Sequence, residues 1–257
     1  MDYLIICIVA LLGSALTLFS GFGLGTLLVP VFAIFFPIDI AIALTAIVHF
    51  LNNIFKIILL GNNANKNVVI WFGLPALIGA FIGAKALLYI TAIQPLFHYS
   101  LFDKTFEVML VKLIIAGLMI AFALIDLIPK FSNLSFDKKY LSLGGILSGF
   151  FGGLSGNQGA LRSMFLIKAG LSKESYIATG VLIACLIDVS RITVYMKMFR
   201  ELGSSMNYAL LTAATLSAFS GAFFGNILMK KVTYKNIQTI VAVMLMFFSV
   251  LLAMGII

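Results

Sequence analysis

Two glycine-rich breaks interrupt otherwise apolar sequence, and the residues beside them are suited to holding an anion. The first runs SGFGLG from Ser20 to Gly25 and leads into Thr26. The second runs GFFGGLSGNQG from Gly149 to Gly159 and is followed three residues later by Arg162. A short helix leaving each break, from about Thr26 and from about Ala160, points its unpaired N–H groups and positive dipole end back at the break. Gly23, Gly25, Thr26, Asn157, Gln158, Gly159 and Arg162 are therefore the candidate substrate contacts, with Asn157 and Gln158 as neutral donors and Arg162 as the charged one. Local capping of the turn is the competing role for the two amides.

Two further groups of polar residues lie within apolar segments. Thr45, His49, Asn53 and Lys56 fall at i, i+4, i+8 and i+11, one stripe of a single helix, which belongs against a wet interior. His49 is suited to carrying a proton, or to bonding as a neutral ring inside the bundle. Lys56 either shares that role or flanks a loop. In the second half of the chain Asp188 and Arg191, at i and i+3, can pair on one helix face with Thr179 and Tyr195 close in projection. That pair serves either as a structural salt bridge or in gating and proton coupling.

The elements that must position these residues follow from composition. Of 257 residues 62% are hydrophobic and 10% charged, with a mean hydropathy of +1.16. This marks an all-α polytopic membrane protein and excludes a cytosolic enzyme, a nucleic-acid binder and a secreted disulfide scaffold. The two cysteines, Cys7 and Cys185, sit in apolar runs as packing residues. Residues 1 to 20 begin with an acid and lack an Ala-x-Ala site, so they are read as part of the mature fold.

Apolar runs fall at about 3–19, 26–36, 40–60, 69–90 and 107–128, then at 141–151, 159–169, 174–196, 207–229 and 237–257. The last three of each five can cross a hydrocarbon core of about 30 Å. The runs 26–36, 141–151 and 159–169 reach about half-way. The two sets match locally: Ser20-Gly21 answers Ser155-Gly156, Asn53-x-x-Lys56 answers Asp188-x-x-Arg191, and Gly79-x-x-x-Gly83 answers Gly221-x-x-x-Gly225. The glycine pairs are read as close-packing faces. A duplication follows, 1–128 and 129–257, with the loop 129–140 as the joint.

Charge then sets the orientation. If each opening pair enters and leaves on one side, Lys56, Lys66, Lys130, Lys138, Lys139, Lys168, Lys173, Lys230, Lys231 and Lys235 share one side, against Lys85, Lys104, Lys112, Lys197 and Arg200. The positive-inside rule favours this arrangement, two inverted repeats of a broken pair plus three spans, giving 8 to 10 membrane segments with both termini outside. Re-entrant hairpins and full crossings give the same parity.

The stretches GFGLGTLLVPVFAIFFPIDIAIALTAIVHFLNNIFK at 21–56 and GGLSGNQGALRSMFLIKAGLSKESYIATGVLIACLIDVSR at 152–191 resemble the TauE/SafE sulfite exporter family of transporters for sulfur-containing anions. Each half gives the family's glycine cluster, short apolar run, small-residue Ala-Thr stretch and polar helix. The resemblance implies proton-coupled movement of sulfite, an organosulfonate or a similar oxyanion across a cell membrane, in a bacterium the inner one. Here the second cluster reads Gly156-Asn157-Gln158-Gly159, and Met164 stands near the usual downstream proline, so the anion can differ from sulfite. The partners expected are a small anion and the bilayer, with a homo-oligomer compatible; no cofactor is expected. A passive anion channel is the alternative. G-x-S-G at Gly153 to Gly156 spells an intramembrane serine protease motif, but no histidine follows Ser155. Neither an ATP-binding G-x-x-x-x-G-K loop nor a Cys/His metal spacing occurs, so the chain is read as a transporter and not an enzyme.

Overall fold

The computed structural model describes residues 2–20, 23–60, 63–101, 103–132, 134–203, 206–228 and 234–257. The main helices are α1 (Asp2–Ser20), α2 (Leu24–Ala33), α3 (Ile38–Leu60), α4 (Lys66–Thr91), α5 (Leu110–Leu127), α6 (Leu141–Ser155), α7 (Gly159–Leu166), α8 (Lys173–Leu202), α9 (Tyr208–Leu228) and α10 (Tyr234–Ala253). Four of them, Ile38–Leu59, Lys66–Thr91, Lys173–Leu202 and Tyr208–Gly225, are long and apolar enough to cross a membrane. With 10 and 8 residues, α2 and α7 span only about 15 and 12 Å. Between 155 and 159 the chain turns at Gly156, whose φ of +77° is one a side chain rarely adopts.

One expectation is corrected here. The run 107–128 is not continuous helix: strands β1 (Phe97–Leu101) and β2 (Lys104–Val108) pair antiparallel, and helix begins only at Leu110. The hairpin docks on the end of α10, where the Tyr99 hydroxyl donates to the Met254 carbonyl at 2.6 Å. A π turn at Val69–Gly73 lies inside α4, next to Pro75. Proline has no N–H for the preceding turn, and the Ser142 hydroxyl of α6 donates to the Trp71 carbonyl at 3.0 Å.

Four pairs of helices make the most extensive contacts: α1 on α9, α6 on α4, α3 on α8 and α5 on α10. Small residues make the first two pairs close. A Cβ at Gly221 would run into the Leu11 carbonyl and one at Gly225 into Ala15, while Gly79 and Gly83 meet the backbone of Ile146 and Phe150. Reciprocally, Gly145, Gly149 and Gly153 of α6 lie on the carbonyls of Phe72, Ala76 and Ala80. Gly149→Ala should therefore destabilise the fold by about 1–3 kcal/mol or more, since backbone is what must move. Gly117, with open space around it, is the control: Gly117→Ala should be neutral or stabilising by up to about 1 kcal/mol in thermal melts of the detergent-solubilised protein.

The connections gather at two ends. At one, Phe36, Ile40, Leu202, Met206 and Asn207 line a small apolar cavity, and the Tyr3 hydroxyl donates to Asn207. At the other, Asn65, Asn67, Trp71, Lys138, Lys139, Ser142 and Ala169 surround a cavity of about 650 Å³. Phe36 and Ile40 mark the start of α3 and Asn65 lies just past its end, so the two cavities lie at opposite ends of that helix. Exposed apolar side chains such as Ile78, Ile82, Phe223, Phe224 and Phe247 cover the outside of the bundle, as lipid contact requires.

Candidate functional site

The two breaks touch. A Cβ on Gly25, in the first turn of α2, would lie 3.2 Å from the Gly156 carbonyl oxygen and 3.6 Å from the Thr45 side chain. A Cβ on Gly23 would lie 3.3 Å from His49 Nε2. A side chain at either place would press on its neighbour, the Gly156 backbone in one case and the imidazole in the other. Thr26 is buried beside them, its N–H bonded to the Gly23 carbonyl at 3.1 Å. Gly21, the other member of the Ser20-Gly21 match, lies outside the described residues, as do Lys230 and Lys231 and the side chains of Asp126 and Lys235.

At the second break Ser155 settles the turn. Its hydroxyl donates to the Phe151 carbonyl at 2.9 Å and accepts from Asn157 N at 3.3 Å. The hydroxyl of the G-x-S-G motif is thus a turn-former with no histidine bonded to it among the described residues. Asn157 and Gln158 do not cap locally. Both side chains are buried, and all four of their amide heteroatoms lack a hydrogen-bond partner among the described residues. Neither α2 nor α7 has a side-chain cap on its first turn. Buried polar groups left this way cost about 1–3 kcal/mol each unless something else bonds them, and a ligand rich in acceptors would do so.

Behind the breaks lies a charged network joining α3 to α8. His49 Nδ1 is 2.7 Å from Asp188 Oδ2, and Asn53 Nδ2 donates to the same oxygen at 3.2 Å. Arg191 Nε donates to Asp188 Oδ1 at 3.0 Å; its Nη2 lies 2.8 Å from that oxygen, an ion-pair distance whose angle makes no hydrogen bond. Asp188 and Arg191 are fully buried. Because a carboxylate accepts, the Nδ1 proton belongs on the Asp188 side, which leaves Nε2 facing Gly23 and the first break. Tyr195 closes the network by donating to the Gly153 carbonyl at 2.9 Å.

Of the two places open to Lys56, the stripe or the flank of a loop, the side chain takes the first. It is only 4% exposed, on the same stripe as His49 and Asn53. Arg162 Nε would lie 3.4 Å from a Cβ at Gly180, so α8 is notched where the guanidinium crosses it. Its Nη1 is buried and has no partner among the described residues.

Gly23, Gly25 and Gly156 thus meet beside Thr45 and His49, with Thr26, Asn157, Gln158 and Gly159 on the same two breaks; His49, Asn53, Asp188 and Arg191 form one network, Lys56 is buried further along α3, and Arg162 lies against Gly180 of α8. Sequence reading missed that His49 belongs with Asp188, 139 residues away. It also missed Ser148, whose buried hydroxyl donates to the Gln158 carbonyl at 3.1 Å and holds the second break against α6. Serine among the glycines of 144–153 was the available signal.

The model of the sulfite exporter TauE/SafE family matches residues 6–252. The chain belongs to that family. No curated protein and no solved structure matches it. As a TauE/SafE member the chain is a membrane protein of a transporter family, and the match runs through both breaks and all of the buried network.

Proposed function

We propose that this TauE/SafE protein is a secondary transporter that holds a small oxyanion or sulfonate near mid-membrane, where the breaks at Gly23–Gly25 and Gly156–Gly159 meet. One observation carries the reading: the side-chain amides of Asn157 and Gln158 with Arg162 Nη1 and Arg191 Nη1 are buried without a hydrogen-bond partner among the described residues, nitrogen donors outnumbering the amide oxygens, and two short helices start without a side-chain cap. A sulfonate or sulfite group supplies three strongly accepting oxygens, which is the complement of such a set.

The reciprocal pairing of α1 with α9, α6 with α4, α3 with α8 and α5 with α10 supports reading 1–128 and 129–257 as repeats. The gathering of Asn65, Lys138 and Ala169 at one end, and of Tyr3, Phe36 and Asn207 at the other, supports their inversion. Each opening pair then enters and leaves at one end, and rocking of one half against the other would expose the breaks alternately. His49, with one nitrogen on Asp188 and the other toward the first break, is placed to bring a proton to the anion. This is the basis for proton coupling at a cell membrane.

The test is uptake of labelled sulfite by proteoliposomes holding the purified protein. An imposed pH gradient should drive accumulation above the equilibrium level, and a protonophore should abolish it. Flux that never exceeds equilibrium would make the protein a channel, and no flux of sulfite or any small sulfonate would remove the anion-transport reading.

A further inference from the structure

The cavity of about 650 Å³ carries positive charge and no negative charge to match it. Lys138 and Lys139 line it together with the amides of Asn65 and Asn67, and no acid lines it among the described residues. Asp137, next in sequence, has Lys168 at 4.0 Å instead, which leaves the two lining lysines without an ion-pair partner among the described residues. Both ammonium groups have a definite seat. Lys138 Nζ lies 3.0 Å from where a Cβ on Gly170 would be, over a turn whose φ of +71° keeps that space clear, and Lys139 Nζ lies 5.0 Å from the centre of the Tyr140 ring. Like charges held together gain from an anion placed between them.

The surroundings say what kind of anion. The cavity lies where α4 and α6 start, and the two helices run from it in the same direction, Phe72, Ala76 and Ala80 of one lying on Gly145, Gly149 and Gly153 of the other. Within their first three turns Ile70 and Leu74 of α4 and Leu143, Ile146 and Leu147 of α6 are exposed, so lipid-facing surface begins directly at the cavity. Trp71, on the cavity wall and 64% exposed, marks the border, the level at which indole rings rest between water and hydrocarbon. A bare oxyanion fills little of such a space, whereas volumes of about 300–1,000 Å³ suit organic molecules. On the orientation that the charge count favours, this end meets the cytoplasmic leaflet, where anionic lipid is concentrated.

We propose that this cavity is a binding site for the phosphodiester headgroup of an anionic phospholipid, with Lys138 and Lys139 as the ligands of the phosphate, the amides of Asn65 and Asn67 as neutral donors, and the acyl chains lying along α4 and α6. The site is separate from the breaks, and it does not depend on what the protein transports. A zwitterionic lipid brings a cation of its own to the two lysines and is held less well. A free phosphate ion offers the same oxygens but has no chains to lie on the apolar flank.

Trp71 is the chain's single tryptophan, so its fluorescence reports on this cavity. The purified full-length protein is reconstituted in mixed vesicles of phosphatidylcholine and phosphatidylglycerol, with one lipid or the other carrying brominated acyl chains, and quenching of Trp71 gives the relative association constant of the two headgroups. Phosphatidylglycerol should be favoured by about ten-fold or more. Lys138→Gln combined with Lys139→Gln should bring that preference below about two-fold, and Lys138→Arg combined with Lys139→Arg should keep it. Lys104→Gln combined with Lys130→Gln, the same loss of charge outside the cavity lining, should also keep it. Inorganic phosphate added at constant ionic strength should leave the quenching unchanged. Equal quenching by the two lipids in the wild-type chain overturns the proposal, as does a preference that survives in the Lys138→Gln and Lys139→Gln protein. A preference lost as fully in the Lys104 and Lys130 variant reduces the effect to general surface charge and overturns it too. Displacement of the brominated phosphatidylglycerol by inorganic phosphate would make the occupant a free oxyanion and remove the lipid.

Discussion

Asp188→Asn is expected to leave little folded protein. Asparagine keeps the shape but removes the charge that compensates Arg191, which is fully buried and bonded to Asp188 at 3.0 Å. An uncompensated buried charge costs about 3–5 kcal/mol, against a total stability on the order of 5–15 kcal/mol. The amide keeps one accepting oxygen in place of two, so either Arg191 or the His49–Asn53 pair also loses its acceptor. The expected result is a sharp loss of monodisperse protein in fluorescence-detected size-exclusion chromatography. Replacing both members, Asp188→Asn with Arg191→Met, removes the stranded charge and should recover most of the folded yield, because a buried ion pair adds little over an apolar pair. The double variant also separates the two roles open to this pair. If Asp188 and Arg191 only hold the bundle, the recovered protein transports as wild type does. If Asp188 orients His49 for proton coupling, it folds yet shows no pH-driven accumulation, and this second outcome is the expected one. A double variant with full pH-driven uptake would return the pair to a purely structural role.

The residues of that network were visible one helix at a time. Thr45, His49, Asn53 and Lys56 form a stripe because side chains three or four apart share a helix face, and Asp188 with Arg191 obeys the same rule. What joins the stripes, His49 to Asp188, is a contact between α3 and α8, and helical periodicity has no term for which two faces meet. Lys56 shows the reverse case. Its place on the stripe pointed inward, while its position four residues from the end of α3 suggested a loop, and the stripe prevailed because the side chain is buried within the bundle. The glycine breaks were legible from composition, since a helix that must stop inside lipid needs residues that allow the turn. Gly156 with φ of +77° is such a residue. The hairpin was not found, because Val108 and Leu110 join the apolar tail of β2 to the apolar start of α5 without a break in hydropathy. Alternation of Phe97, Tyr99 and Leu101 with His98 and Ser100, and of Phe106 and Val108 with Thr105 and Glu107, about a turn at Asp103 with φ of 58°, was the signal that hydropathy averaging hid.

Geometry at the breaks makes Arg162 the side chain whose removal should most reduce anion binding. It stands on the opening turn of α7, where uncapped amides already face the second break, and its buried Nη1 has no partner among the described residues. A buried charged donor of this kind typically contributes about 2–5 kcal/mol to the affinity of the anion it meets. Arg162→Gln should therefore raise the dissociation constant by about thirty-fold or more, read by calorimetry with the tightest-binding sulfur oxyanion. Lys139→Ala is the comparison. That lysine is solvent-exposed and stacked over Tyr140 at 5.0 Å on the wall of the large cavity. A charge there is screened over about 8 Å at physiological salt. It can speed arrival of the anion but adds little to its hold, so the dissociation constant should change by less than about two-fold. The arginine effect should persist in high salt, whereas any lysine effect should vanish, because ions reach the cavity wall and not the buried guanidinium. Equal affinities in the two variants would move the anion site away from α7, and with it the argument that the paired breaks exist to hold a ligand.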